Sequence, residues 1–384
     1  MEVSITDPPY DPLEATAAAP AARVRVRDLA GTLIRLASLA TALFLFVLAI
    51  QLMKDGAAAM APTIHGSRLF ANGFSTLGAG WLGAYVVLSG SPIAAVSLGL
   101  FAGGALTKLQ TFTMLSGSRL GASFVVLLVG FLYAIRNPAR SRSESVGMGI
   151  QALGLTAVVY LPGMLVGYAF LKTGMLDGIR WSASNDALSL IDVVWGPVLH
   201  LLQDHLPGWL LLLLGLAAIL VSFKLLDRVL PTLDGERAAS RRERWLKRTW
   251  PMFLLGCAVA SLTLSVSVAL TVLVPLASRG YVKREEAIPY IMGANITTLA
   301  DTLVAAMLTG DPVAVHIVLA EALGVSLVTV AYLAVLYAPL KRAIVGMVDW
   351  VIGSNRRLWA FVATIFLMPL LLMLSGALLG PLGS

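Results

Sequence analysis

Charged side chains are scarce in this sequence, and their scarcity indicates its class. Only 13% of the 384 residues are Asp, Glu, Lys or Arg, whereas a soluble domain has about 25%. Four runs contain no charge, and each is long enough to cross ~30 Å of hydrocarbon as a helix. These runs are Pro251–Ser278, Ser145–Leu171, Ala322–Leu340 and Leu358–Ser384. We therefore expect an all-α polytopic membrane protein.

Cysteine and histidine are also rare, which argues against several kinds of site. The single cysteine, Cys257, lies in an apolar run, so neither a disulfide framework nor a thiolate metal site is expected. The four histidines match no zinc-binding spacing; they are His65, His200, His205 and His316. The net charge of +7 comes from basic residues between apolar runs, as the positive-inside rule requires. The charge therefore does not call for a nucleic acid partner.

The alternation of apolar and charged stretches divides the chain into six parts. Residues 1–28 are predicted to be a disordered cytoplasmic tail, and the first membrane helix is expected to end near Met53, before a polar link from Lys54 to Arg68. The remaining parts are a first repeat half (29–136), connecting membrane helices (143–228), a basic cytoplasmic loop (229–249), a second repeat half (250–340) and a C-terminal membrane segment (341–384).

Two stretches carry small polar clusters at equal spacing, which indicates an internal repeat. Ser89-Gly90-Ser91 precedes the cluster GSRLGAS, which begins at Gly117, by 28 residues. Ser265-Val266-Ser267 precedes GANITT, which begins at Gly293, by the same 28 residues. Packing alone does not require equal spacing in two copies, although small polar residues often serve close helix packing.

Polar clusters in otherwise apolar segments predict a protein-lined site at membrane depth, because unpaired polar groups are costly in hydrocarbon. Pro92 and Gly103-Gly104 also interrupt the charge-free stretch 70–107, which favours a re-entrant hairpin over two clean spans. If the two units insert with opposite orientations, their broken helices would meet near the midplane. The candidate substrate- and ion-binding residues are Ser89, Ser91, Arg119, Ser123, Ser265, Ser267, Thr271, Asn295, Thr297, Thr298 and Asp301.

The second half resembles the type II sodium–phosphate cotransporter family. MGANITT (292–298), SVSVALT (265–271) and the link RGYVKREEAIPYIMG (279–293) are similar to family motifs, and LFLFVLAIQLMKDG (43–56) resembles the family's opening. The resemblance implies a transporter with two inverted repeats and re-entrant hairpins. It also implies symport of inorganic phosphate or a similar anion with sodium, across a plasma membrane and with no enzymatic activity.

Several positions depart from the family pattern. Leu88 and Leu264 stand where the family has Gln, Gly90 and Val266 replace a Ser, and Arg119 takes the place of an Asn. These changes remove ligands expected for phosphate and sodium. The planar guanidinium of Arg119 suits a bidentate oxyanion, so Arg119 could bind the substrate or occupy a sodium position. As an alternative, it could snorkel to the membrane interface.

Other features leave further hypotheses open. Asp301 follows Thr297 and Thr298 by one helical turn, where it could ligate a cation, pair with Arg119 or stay near water. His316 and Glu321 offer proton coupling as a hypothesis. The rival functions are a membrane enzyme acting on lipid-linked phosphates and a non-transporting regulatory homologue. The enzyme lacks support, because no His or Glu is expected beside Arg119 and Asp301. A bacterial inner membrane and a homodimer are further expectations.

Overall fold

The computed structural model describes residues 24–136, 142–179, 181, 185–229, 248–263, 265–278 and 282–379. The regular structure in these ranges is helical, with one short 3₁₀ turn at Arg68–Phe70. The helices are α1 (Val24–His65), α2 (Gly73–Val87), α3 (Ser91–Ala102), α4 (Lys108–Ala122), α5 (Phe124–Arg136), α6 (Arg142–Thr173), α7 (Asn185–His205), α8 (Gly208–Val229), α9 (Thr249–Thr263), α10 (Val266–Thr271), α11 (Leu273–Ser278), α12 (Arg284–Thr297), α13 (Leu299–Leu308), α14 (Pro312–Ala334), α15 (Tyr337–Ile352) and α16 (Asn355–Leu379).

Seven helical segments of the described chain are long and apolar enough to cross a membrane. They are Leu33–His65, Lys108–Arg136, Glu144–Thr173, Gly208–Leu226, Arg284–Leu308, Pro312–Ala334 and Asn355–Leu378. Large apolar side chains such as Leu165 and Leu371 point away from the protein, as is expected of surfaces that contact lipid. The prediction of an all-α, multi-pass membrane protein is confirmed.

The first helix is longer than its hydropathy predicted. The polar link expected from Lys54 to Arg68 is wrong over most of its length, because α1 continues to His65. Alanines at 57–59 favour a helix, and α1 packs closely on α8, where a Cβ at Gly56 would lie less than 3.0 Å from the backbone of Leu212. The same helix begins at Val24, inside the predicted tail. Residues 1–23 of that tail and 230–247 of the basic loop lie outside the described residues.

The described chain contains two units of the same plan. In the first unit, α2–α5, a helix is followed by a break, a short helix, a turn, and a longer helical segment interrupted at Ser123. In the second unit, α9–α13, a helix is followed by two short helices, α10 and α11, and then by a longer helical segment interrupted at Thr298. Both interruptions fall in the polar clusters that the sequence singled out. The helices α2, α3 and α9 have 15, 12 and 15 residues, which is fewer than the ~20 needed to cross a bilayer.

Close glycine contacts repeat between the units at a constant distance along the sequence. A Cβ at Gly117 would meet the Leu77 carbonyl, and one at Gly293 would meet the Phe253 carbonyl, in each case at less than 3.0 Å. Both residues of the second pair lie 176 positions after those of the first. The same offset relates Gly80, packed on Met114, to Gly256, packed on Tyr290. The packing of α2 on α4 therefore recurs in the packing of α9 on α12.

Two long helices that follow the units pack closely against each other. Helix α6 follows the first unit and α14 follows the second. They approach to backbone contact, since a Cβ at Gly324 would lie less than 3.0 Å from the Gly163 carbonyl, and a Cβ at Gly167 less than 3.0 Å from that of Ala320. Small residues permit such close crossings of membrane helices. This crossing places α6 and α14 beside the interrupted segments of both units.

Candidate functional site

Arg119 lies inside the protein, where it contacts both repeat units. Helix α4 carries it and begins with a capping box, in which Thr107 and Gln110 each accept a bond from the other's backbone N–H. Arg119 is only 2% exposed. It donates to Ser91 of the first unit, at 3.3 Å, and to Thr302 of the second. A guanidinium so enclosed by protein does not snorkel, so that alternative is wrong.

Asp301 is the charged partner of Arg119. Its Oδ1 lies 3.6 Å from a terminal nitrogen of the guanidinium, and both side chains are at most 7% exposed. This separation is longer than the ~2.7–2.9 Å of a close charge-assisted hydrogen bond. Two buried atoms of the pair, Arg119 Nε and Asp301 Oδ2, have no hydrogen-bond partner. The pair therefore retains one free donor and one free acceptor.

A second polar junction joins the two units through α6. Thr156 Oγ1 lies 2.7 Å from the Ser123 hydroxyl and accepts a 3.1 Å bond from the Asn295 amide. One turn later, the Tyr160 hydroxyl donates to the Asn295 carbonyl at 2.8 Å. Sequence analysis missed Thr156 and Tyr160, which lie in a charge-free run. Their spacing of four residues puts them on one face of the helix, and this is the signal that could have found them.

Glu321 on α14 is also part of this region, which corrects the expectation that no Glu lies near Arg119. Ser116 donates to Glu321 Oε2 at 2.7 Å, and Ser116 precedes Arg119 by one turn of α4. Glu321 is completely buried, and its Oε1 has no hydrogen-bond partner. His316 lies elsewhere, with its ring nitrogens facing the Ile179 carbonyl and Asp177.

Two of the predicted serines near the breaks have partners outside their own segment, one of them being Ser91, which accepts from Arg119. Ser267 donates to the carbonyl of Leu88 at 3.1 Å and so joins the breaks of the two units. Leu88 has a φ of 58°, a left-handed conformation that is unusual for leucine. Ser265 caps α10 by accepting from the Val268 N–H, while Ser89 is half-buried in the link before α3.

The predicted threonines bond to their own helices, as hydroxyls within helices often do. Thr271 donates to the carbonyl of Val268, Thr297 to that of Gly293, and Thr298 to that of Asn295. Thr298 is 1% exposed, while Thr271 and Thr297 are half-buried. Of the threonines, Thr298 is thus the one placed beside the junction at Asn295.

The polar side chains between the units are closed off from the exterior. The buried polar residues of this region make up what we call the polar core, namely Ser91, Ser116, Arg119, Ser123, Thr156, Tyr160, Asn295, Thr298, Thr302 and Glu321, together with the side chain of Asp301. They come from α3, α4, α6, α12, α13 and α14 and from the two interruptions. The described structure thus has a charged interior that is sealed from both lipid and water.

One model of a known protein family matches part of this chain. No curated protein and no solved structure is significantly similar to it. Residues 218–373, which include the second unit and α14, match the family described as Na+/Pi-cotransporter. That family consists of transporters and not of enzymes. The match supports the resemblance seen in the sequence, and the chain is consistent with a divergent member of the Na+/Pi-cotransporter family.

Proposed function

We propose that this protein is a secondary active transporter that carries inorganic phosphate, or a similar small anion, together with sodium. The observation that carries the proposal is the placement of Arg119 in a sealed polar core between two repeat units. A permanent cation at membrane depth is costly, so it generally faces a partner or a pathway. The family match over residues 218–373 supports phosphate and sodium as the cargo.

The free atoms of the core suit an anion and a cation side by side. Arg119 Nε is an unused donor, which fits an oxygen atom of phosphate. Asp301 Oδ2 is an unused acceptor, and oxygen atoms are the ligands that hard cations prefer. The hydroxyls of Ser91 and Thr302 already lie against the guanidinium and supply further polar contacts.

Transport by this site requires the core to open to each side in turn. The two units are joined by Arg119 with Asp301 and by Ser267 with the Leu88 carbonyl. We propose that these contacts open and close as one unit moves against the other, with the repeats in opposite orientations. The proposed location is a bacterial inner membrane, and a homodimer stays a prediction.

Uptake of radiolabelled phosphate into proteoliposomes tests the proposal. We expect uptake driven by an inward sodium gradient, with much less uptake when potassium replaces sodium. Asn295→Ala should abolish sodium-dependent uptake, because it deletes the amide that joins the second unit to Thr156. Absence of phosphate uptake under either gradient would overturn the proposal.

A non-transporting homologue is the second candidate, because Leu88 and Leu264 replace Gln at the breaks of both units. Folded protein that binds phosphate without moving it across the vesicle membrane would favour that candidate. Release of phosphate from a polyprenyl diphosphate would instead favour an enzyme.

A further inference from the structure

The carboxyl group of Glu321 is a buried charge-bearing group that the proposed function does not yet use. Its side chain is fully enclosed on α14, beside the crossing with α6. Ser116 donates to Oε2, but Oε1 is buried and has no hydrogen-bond partner. A carboxylate in water would have both oxygens solvated, so an ionised Glu321 would lose much of its stabilisation here.

The charges of the polar core do not balance if every group is ionised. Arg119 supplies one positive charge, and Asp301 and Glu321 would supply two negative charges. Asp301 is the carboxylate within ion-pair distance of the guanidinium, whereas Glu321 is linked to the Arg119 helix through the neutral hydroxyl of Ser116. One unit of positive charge is missing, and a phosphate anion entering the core would increase the deficit.

Other charged side chains on the helices around α14 have partners outside the polar core or, as with Lys172, are exposed. Helices α3, α4, α6, α12, α13 and α15 pack against it. Tyr160 of α6 also belongs to the polar core, and its neutral hydroxyl donates to the Asn295 carbonyl. Elsewhere on these helices, Lys108 donates to the Leu171 carbonyl, Arg284 pairs with Glu144 and Asp349, and Lys341 pairs with Glu285. On α14 itself, His316 faces Asp177.

We propose that Glu321 binds a proton in the sealed conformation and releases it when the core opens, so that phosphate moves together with a proton. The proton adds to the carboxylate of Glu321 from the side on which substrate loads, and it leaves to water on the opposite side. Protonation removes one negative charge and leaves Arg119 balanced by Asp301. This inference rests on the proposed function and adds a proton to its cargo.

Infrared spectroscopy of the purified protein tests the protonation independently of transport. We expect the carbonyl stretch of a protonated, buried carboxylic acid at neutral pH. The band should be missing in Glu321→Gln and unchanged in Glu144→Gln, which alters a carboxyl group at the periphery. A spectrum of the wild-type protein without such a band would overturn the inference, even if the variant did not fold. A band that persists in folded Glu321→Gln would do the same.

Transport measurements then test the coupling. Without sodium, an inward proton gradient should drive accumulation of labelled phosphate by the wild-type protein. Glu321→Gln mimics the protonated form, so it should exchange phosphate across the membrane at a rate that does not depend on pH, and it should lose proton-driven accumulation. Proton-driven accumulation that persists in Glu321→Gln would overturn the inference. So would wild-type accumulation that responds to sodium but not to protons, because a sodium ion would then supply the missing charge. Wild-type protein that moves no phosphate at all would instead overturn the proposed function, while the infrared band would still report on Glu321.

Discussion

The guanidinium of Arg119 and the carboxylate of Asp301 form a buried ion pair, with 3.6 Å between nitrogen and oxygen, that joins the two repeat units. Arg119 belongs to the first unit and Asp301 to the second. Their helices lie far apart in the chain, so the pair forms only when the units assemble. The pair therefore stabilises the closed structure, and it must separate when the core opens.

Removal of one partner of this pair should destabilise the protein. Arg119→Gln leaves Asp301 as an uncompensated buried charge, which costs about 3–5 kcal/mol. Arg119→Gln combined with Asp301→Asn should recover much of that loss, because neither residue is then charged. Thermal unfolding in detergent measures both effects. Arg342→Gln serves as a control, since Arg342 is exposed and its replacement should change stability by less than about 0.5 kcal/mol. Additive losses in the double variant would contradict a direct interaction.

Thr156 should matter although its neighbours in sequence are apolar. Thr156→Val removes the hydroxyl that meets Ser123 and Asn295, and each buried group left without a partner costs about 1–3 kcal/mol. Thr156→Ser keeps the hydroxyl and should preserve most of the stability. Unfolding temperatures and the KM for phosphate would show the difference. Equal values for the two variants would mean that this junction is not a functional part of the core.

The glycine contacts predict matched effects in the two units. Gly117→Ala and Gly293→Ala each place a methyl group against a backbone carbonyl of the neighbouring helix, and such overpacking costs about 1–3 kcal/mol. Gly346→Ala is the control, because a Cβ there meets nothing within 4 Å. It should be neutral or slightly stabilising, since alanine favours a helix more than glycine does. Unfolding by denaturant should reveal the pattern, and tolerance of Gly293→Ala with loss in Gly117→Ala would contradict the common plan.

Accessibility of introduced cysteines should report opening of the core. The chain has a single cysteine, so replacement of Cys257 by Ala gives a background without thiols. Ser91→Cys should resist modification by a polar thiol reagent while the core is closed. It should react while the protein is exchanging sodium and phosphate across the membrane. A cysteine at Met175, which is 62% exposed, should react under all conditions. Constant protection at position 91 during measured transport would contradict the proposed pathway.

The sequence predicted those features of the site that depend on the spacing of residues along the chain. Equal distances from Ser89 to Gly117 and from Ser265 to Gly293 located the breaks, and the departure at Arg119 located a charged residue that the structure buries. It also predicted a membrane class from the runs without charge, which seven helices of the described chain confirm.

The partners of these residues could not be predicted in the same way. Thr156 and Glu321 are single polar residues in long apolar helices, and they meet Asn295 and Ser116 more than 100 residues away. Hydropathy does not distinguish a helix face that meets lipid from one that meets protein. The predicted end of α1 was wrong for a related reason. The charges of Lys54 and Asp55 suggested a polar link, whereas packing on α8 maintains a helix there.

Phosphate uptake by the double variant Arg119→Gln/Asp301→Asn is the most direct test of the central claim, that the Arg119 guanidinium binds the transported anion. The variant keeps the core free of an unpaired charge, and its unfolding temperature shows whether it is folded. Proteoliposomes containing it should show no phosphate uptake above that of empty vesicles, although the wild-type protein takes up phosphate under the same sodium gradient. A folded double variant that transports phosphate with the wild-type rate and KM would contradict the claim and reduce Arg119 to a structural partner of Asp301.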